Sequence, residues 1–205
     1  MPRSRRTQLV AATVAAVLLV LLGYAGGLLT TRPSYPDEAS AEAGFARDMS
    51  AHHAQAVEMA MIAYQRSPSD EVRSLAGDVA ITQQGQIGVM QTWLKTWGLG
   101  PNSLQRPMAW MPNGPETLKG NLMPGMATRE EVNKLRAATG KEVDILFCQY
   151  LHRHHLGGIH MVDGVLKLTS RPEVRELAEA MKRNQGFEVT LLEDILTKLR
   201  AKPLV

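Results

Sequence analysis

Two short stretches of the sequence hold side chains that could bind a metal ion. All six histidines lie in them. The first stretch contains Met49, His52, His53 and Met59, and the second contains His152, His154, His155, His160 and Met161. Residues three, four, seven and ten positions apart share one face of a helix. Imidazole nitrogens suit several transition metals, and thioether sulfurs select Cu(I). The spacing predicts a metal site made of Met49, His52, His53, Met59, His154, His155 and Met161.

A single inward histidine is more often a hydrogen-bonded core residue than a ligand. Four facing histidines are different, because buried imidazoles need partners, and either a metal ion or a polar network supplies them. Among metals, copper as Cu(I) is favoured and zinc is the weaker alternative. His152 and His160 are adjacent to the predicted face and are interpreted as auxiliary ligands. A di-iron site is disfavoured because no glutamate is followed three residues later by histidine.

The sequence contains an internal duplication. A shift of 102 residues superposes eleven identical positions, including His52 on His154 and His53 on His155. Each copy has the periodicity of a helical hairpin, the first covering about residues 40–97 and the second about 141–201. Two hairpins with one apolar face each predict an all-α fold, a four-helix bundle.

Turn and capping signals mark the ends of the predicted helices. Residues 67–70 form the turn of the first hairpin, and residues 170–173 are predicted to form a capping box in the second. The connector, residues 98–140, holds five of the eleven prolines. A capping box at Thr128 predicts a short helix to about Ala138, with Gly140 as its C-terminal stop.

The connector also contains four methionines. They are Met108, Met111, Met123 and Met126. Two interpretations remain open: they plug one end of the bundle, since methionine fills irregular gaps, or they pass a metal ion to the site. Met123 and Met126 are auxiliary ligand candidates under the second interpretation.

Two glutamines interrupt the apolar stripes of the second helix in each hairpin. In each hairpin, the glutamine (Gln83 or Gln185) follows the turn by about as many residues as the paired histidines precede the turn. Residues at equal distances from a turn lie at the same height in antiparallel helices. We therefore expect each amide to hydrogen-bond a histidine of its own hairpin and to fix its tautomer. The alternative is a packing role at the edge of the stripe.

The N-terminal segment is long and apolar enough to cross a membrane. No charged side chain occurs between Leu9 and Leu29. Arg3, Arg5 and Arg6 precede this run, so the positive-inside rule predicts a cytoplasmic N-terminus. Residues 1–31 are thus interpreted as a single-pass anchor, with a cleaved signal peptide as the alternative, and residues 32–205 as an extracytoplasmic bundle.

Composition excludes several classes of function. Apart from the three N-terminal arginines, 20 basic residues balance 20 acidic ones, so no basic face for nucleic acid is expected. Cys148 is the single cysteine and reads as a core residue, with a sulfur ligand as the alternative. Catalytic motifs are absent, so an enzyme is not expected.

The rival to a metal-binding protein is a metal-free interaction module in the cell envelope, whose protein partner the sequence does not identify. Its tryptophans, Trp93, Trp97 and Trp110, would meet a membrane partner.

The paired histidine motifs resemble a bacterial protein family. Met49-x2-His52-His53-x2-Ala56-x2-Met59, the segment 123–128 and His154-His155-x2-Gly158-x2-Met161 are similar to DUF305 proteins, over about residues 45–199. The resemblance implies a ferritin-like bundle and copper handling outside the cytoplasm. Leu151 departs from the family pattern, which has methionine before the second histidine pair. His160 is a second departure, since the first copy has Glu58 there.

Overall fold

A computed structural model describes residues 4–30 and 34–204, with side chains omitted for residues 28–30. Four residues that enter the predicted topology and domain limits lie outside the described residues. They are Arg3, Thr31, Arg32 and Val205. The chain divides into two units, Met1–Tyr35 and Pro36–Val205. Each has its own helices.

The first unit contains one apolar helix. Helix α1 covers Arg5–Thr30, and Arg5–Gly27 has a mean hydropathy of 2.3 with none of its window buried. A signal sequence and a membrane anchor both have these properties. The helix therefore fits either of the two N-terminal interpretations.

The second unit is a bundle of four long helices and one short helix. Helices α2 (Ala41–Arg66) and α3 (Asp70–Thr96) form the first hairpin. Helix α4 (Arg129–Ala137) follows the connector, and α5 (Lys141–Leu168) and α6 (Pro172–Lys198) form the second hairpin. Within the described residues there is no strand, only one isolated bridge between Lys119 and Leu122. The predicted all-α four-helix bundle is confirmed.

The helix ends follow the sequence signals in most places. Ser40 caps α2 and Ser69 caps α3, each accepting a hydrogen bond from a backbone N–H three residues on. Thr128 and Glu131 form the predicted capping box of α4. The capping box predicted at residues 170–173 is wrong: Arg171 is the N-cap residue of α6, and an arginine side chain has no acceptor with which to cap.

Gly140 has a different role from the one predicted. It is not the stop of α4, which already ends at Ala137, but the N-cap residue of α5. Its φ of 56° lies in the left-handed region that glycine adopts without steric cost. The turn between α4 and α5 therefore includes a residue that adopts the required positive φ without steric cost.

The bundle interior consists of two apolar clusters at opposite ends. The methionine cluster contains Phe45, Met49, Met90, Met108, Met123, Met161 and Met181. The Phe147 cluster contains Met59, Val79, Leu135, Phe147, Cys148, Leu151 and Leu196. The C-terminal half of α2 shares the Phe147 cluster with the N-terminal half of α5, so these two helices are antiparallel.

The connector is fixed to α2 by polar contacts. The Asp48 carboxylate accepts hydrogen bonds from the backbone N–H of Met108 (2.7 Å) and the indole N–H of Trp110 (2.8 Å). Burial raises the pKa of Asp48, while these two donors oppose the rise. The Gln55 amide donates to the Ala127 carbonyl and accepts from the Ala127 N–H. The connector thus lies against the face of α2 that carries His52.

Candidate metal centre

A polar layer separates the two apolar clusters. His52 and His53 lie on α2 between residues of the two clusters, and His154 and His155 lie at the matching place on α5. All four imidazoles are buried. The rings of His52 and His154 are in contact, with centroids 3.8 Å apart and planes tilted by 33°. The structure therefore brings together the four histidines that the duplication predicted to face each other.

Each histidine of the layer binds an oxygen atom through Nε2. His52 contacts the Pro124 carbonyl at 3.0 Å, and His154 contacts the His52 carbonyl at 3.0 Å. His53 contacts Gln86 Oε1 at 2.7 Å, and His155 contacts Glu188 Oε2 at 2.6 Å. Carbonyl and carboxylate oxygens only accept hydrogen bonds, so in each ring Nε2–H is the donor. This tautomer leaves the lone pair on Nδ1.

The Nδ1 atoms of His52, His53 and His155 have no hydrogen-bond partner in the described structure. A buried acceptor without a partner costs about 1–3 kcal/mol. The same atom is a metal ligand when the other ring nitrogen is held by an oxygen. Each of these three rings therefore has one nitrogen held by an oxygen and the other nitrogen free, as a metal-binding histidine has.

Burial favours the neutral form of His52, His53 and His154 by lowering the pKa of each ring. Desolvation lowers the pKa of His52 to about 4, opposed by the hydrogen bond to Pro124. Desolvation and the nearby His52 lower the pKa of His53 to about 3. The pKa of His154 is also lowered, by burial and then by the other three histidines. Because protonated rings would repel each other here, all three imidazoles stay available as ligands near neutral pH.

The predicted hydrogen bonds from Gln83 and Gln185 are corrected by the structure. Both amides are buried, but their Oε1 atoms have no partner. The residues that bond histidines are Gln86 and Glu188, one turn further from the hairpin turns. Side chains lean toward the N-terminus of their helix, so in an antiparallel pair contacting residues are offset in height. Equal distance from the turn therefore does not identify the residue that bonds each histidine.

The predicted sulfur ligands are divided between the two clusters. Met49 and Met161 belong to the methionine cluster, whereas Met59 belongs to the Phe147 cluster. Met49 is one helical turn from His52, while Met59 and Met161 are each six residues, about 9 Å along the axis, from the nearest histidine of the layer. Eight of the eleven methionines lie in or against the methionine cluster. Sulfur is therefore concentrated on one side of the histidine layer.

The connector covers the histidine layer. Pro124 and Gly125 lie so close to α5 that a Cβ at Gly157 would be 1.9 Å from the Pro124 carbonyl oxygen. A Cβ at Gly158 would be 2.4 Å from Gln185 Oε1. These two glycines leave space that a larger side chain would fill. In the structure they admit the connector and an amide side chain.

The auxiliary candidates lie outside the layer. His152 is buried and contacts Glu193 at 3.0 Å, while His160 is exposed. Met108 and Met123 are buried in the methionine cluster, and Met111 and Met126 pack against it, as the plug interpretation expects. Burial raises the pKa of Cys148 to about 12, so its thiol stays protonated in the Phe147 cluster.

His, Cys, Asp and Glu side chains do not form a complete metal site by themselves in the described part of the chain. Among the described residues, no group of three or more His, Cys, Asp or Glu side chains could hold a metal ion. Sequence reasoning also missed Pro124, Gln86 and Glu188 as partners of the histidines. The repeat offered a signal for the last two, because positions 86 and 188 are related by the same shift of 102 residues as the histidine pairs.

A family model described as a domain of unknown function, DUF305, matches residues 42–196. The chain belongs to the DUF305 family. Among curated proteins, none matches this DUF305 protein.

Solved DUF305 structures have a similar fold. A DUF305 protein from Streptomyces coelicolor, described as secreted, is 41% identical with a TM-score of 0.75, covering 82% of this chain and 99% of its own. A DUF305 fragment from Deinococcus radiodurans is 32% identical with a TM-score of 0.66, covering 82% and 99%. CopM in a Cu(I)-bound form is 22% identical with a TM-score of 0.61, covering 77% and 96%. At this identity the likeness to CopM concerns the fold alone.

Proposed function

We propose that this DUF305 protein binds copper, as Cu(I), in the histidine layer and handles it outside the cytoplasm. The observation that carries the proposal is the set of buried Nδ1 atoms of His52, His53 and His155, which have no partner in the described structure. A metal ion bound by these nitrogens would remove the free-energy cost of burying them without a hydrogen-bond partner. CopM, which shares the fold, has been solved in Cu(I)-bound, Cu(II)-bound and silver-bound forms, which supports the same chemistry here.

The donor set favours a soft ion. The Nδ1 atoms would supply the nitrogen ligands, and Met49 is the sulfur nearest to them along α2. Zinc gains little from a thioether, and magnesium and calcium prefer oxygen. Among the described residues no three His, Cys, Asp or Glu side chains together could hold an ion, so at most two of these nitrogens would bind one ion, and the Met49 sulfur would supply a further ligand. Copper therefore fits the layer better than zinc does.

Location and role form part of the same proposal. Helix α1 would hold the bundle at the cell membrane as a single-pass anchor with the bundle outside, and the Streptomyces relative described as secreted supports an extracytoplasmic place. A binding role without catalysis agrees with the lack of catalytic motifs in the sequence. Of the three tryptophans that a metal-free interaction module would present, Trp97 and Trp110 are buried and only Trp93 is partly exposed, which favours the metal-binding proposal.

Competition for Cu(I) tests the proposal. The full chain, reduced and held in nonionic detergent, is titrated against a chromophoric Cu(I) chelator and, separately, against a zinc indicator. We expect Cu(I) to be withdrawn from its chelator in preference to zinc. His53→Ala combined with His155→Ala should weaken binding at least about a hundredfold, as loss of ligands does.

Two controls make the outcome specific. His160→Ala removes an exposed histidine from the same helix as His155 and should leave the affinity unchanged. Met108→Ala with Met111→Ala should weaken binding less than the histidine pair does. Circular dichroism verifies that each variant is folded. If the wild type does not compete, or the histidine pair is dispensable, the layer is not a copper site and an interaction module becomes the better description.

A further inference from the structure

A groove opens on the surface between α3 and α6. Its volume is about 320 Å³. Among the described residues, the charged side chains that line it are all acidic: Glu71, Asp78 and Glu188. Lys198 pairs with Glu71 at 2.7 Å, but Asp78 makes no ion pair within the described part of the chain. The groove therefore has a negative potential that attracts cations.

Glu188 connects this groove to the histidine layer. Its carboxylate lines the groove and is 15% exposed, while Oε2 accepts a hydrogen bond from the fully buried His155. His155 in turn has an unpartnered Nδ1. One side chain therefore touches both the solvent-filled groove and a candidate ligand. The repeat-related residue of the first hairpin, Gln86, makes the same hydrogen bond without a charge.

The other approach to the layer is closed by backbone. On the connector side, Pro124 lies directly against Gly157, and its carbonyl is bonded to His52. Opening that side requires the connector to lift and the paired hydrogen bonds between Gln55 and Ala127 to break. On the groove side, the Glu188 side chain lines the groove and contacts His155 directly, so no backbone hydrogen bond is known to close this approach among the described contacts.

We propose that the groove is the route by which a metal cation reaches the histidine layer, and that Glu188 passes the ion from solvent to His155. This inference rests on the proposed function, since it concerns access to the same layer. Glu71 and Asp78 raise the cation concentration at the opening of the groove. Glu188 replaces part of the hydration shell of the ion at the surface. Because its partner nitrogen in His155, Nε2, carries the proton, the ion passes beyond this nitrogen to the free Nδ1 lone pairs inside.

The rate of metal loading tests the route. The full chain in nonionic detergent is mixed with silver nitrate in a stopped-flow instrument, because Ag⁺ is soft and does not change its oxidation state. Trp97 and Trp110 lie in the methionine cluster beside the layer, so their fluorescence reports binding. We expect Glu188→Gln to slow the second-order loading rate about fivefold, as loss of a steering charge in a cleft does.

In Glu188→Gln, the equilibrium affinity for Ag⁺ should change much less than the loading rate. Glutamine can accept the same hydrogen bond from His155, as Gln86 does from His53, so the dissociation constant should change by less than about threefold. Added salt should slow the wild type more than Glu188→Gln. Glu176→Gln, an exposed residue of α6 outside the groove, is the matched control and should load at the wild-type rate. Asp78→Asn, which is exposed and does not contact the layer, should load about twofold more slowly.

Three results would overturn the route. It is wrong if Glu188→Gln and Asp78→Asn both load at the wild-type rate. It is also wrong if Gln55→Ala, which frees the connector, speeds loading while Glu188→Gln has no effect, because the ion then passes under the connector. If the wild type binds neither Ag⁺ nor Cu(I) at equilibrium, the proposed function fails and the route fails with it. If the wild type binds the ion but the substitutions in the groove leave the loading rate unchanged, the route is wrong and the proposed function is not affected.

Discussion

The contact between Gly157 and the connector gives a stability prediction. In Gly157→Ala, the new Cβ would lie 1.9 Å from the oxygen and 2.4 Å from the carbonyl carbon of Pro124. These are backbone atoms, which cannot rotate away as a flexible side chain can. The connector must therefore lift from α5. Lifting it would break the hydrogen bond from His52 Nε2 to Pro124.

Three free-energy terms determine the size of the effect. Inserting a methyl group into packed structure costs about 1–3 kcal/mol. Losing the buried hydrogen bond of His52 costs about 1–3 kcal/mol more. The better helix propensity of alanine returns about 1 kcal/mol. We expect the free energy of unfolding to fall by about 3 kcal/mol, which lowers Tm by about 10 °C in a chain of this size.

Urea and thermal denaturation, followed by far-ultraviolet circular dichroism, measure this difference. Gly186→Ala is the matched control, because Gly186 lies inside α6 with no atom within 4 Å of the new Cβ. That variant should be more stable than the wild type by about 0.5–1 kcal/mol. The reasoning fails if Gly157→Ala is as stable as Gly186→Ala, since the connector would then not be pressed against the helix.

Two further predictions concern acid stability and topology. Burial holds His52 neutral to about pH 4 and His53 to about pH 3, whereas histidines of the unfolded chain protonate near pH 6.5. Unfolding therefore takes up protons, and stability present above pH 6.5 is lost toward pH 4, by about 1.4 kcal/mol per pH unit for each residue. Urea denaturation between pH 7 and pH 5 measures this slope, and an unchanged slope in His53→Gln contradicts the prediction. For topology, alkaline phosphatase fused to the C-terminus should be active in the cell of origin, since the arginines before α1 favour a cytoplasmic N-terminus; a stable but inactive fusion reverses the orientation.

The periodic parts of the chain could be predicted from sequence. Ser40 and Ser69 are strong N-cap residues, and the structure uses both. The duplication predicted two hairpins of equal design because the apolar stripe of each repeats at the same spacing. It also predicted which histidines share a layer, because an internal repeat places its copies around a common axis. These features depend on local propensity and on burial of one helix face, which a sequence records directly.

The contacts within the layer could not be predicted in the same way. The choice of Gln86 and Glu188 over Gln83 and Gln185 depends on the direction in which side chains lean between antiparallel helices. The cover over His52 depends on where an irregular, proline-rich connector lies, and no periodicity specifies that. A backbone carbonyl, such as that of Pro124, leaves no signal in the sequence when it serves as an acceptor.

The antiparallel packing of the repeats determines where sulfur lies. Under the shift of 102 residues Met59 corresponds to Met161, and Met49 corresponds to Leu151. Because α2 and α5 run in opposite directions, Met49 and Met161 lie on one side of the histidine layer, and Met59 and Leu151 lie on the other. Leucine at position 151 therefore removes a thioether from the Phe147 cluster alone. The duplicated sequence pattern has become asymmetric in the fold, with the four histidines in the centre and most of the methionines at the end that the connector methionines also fill.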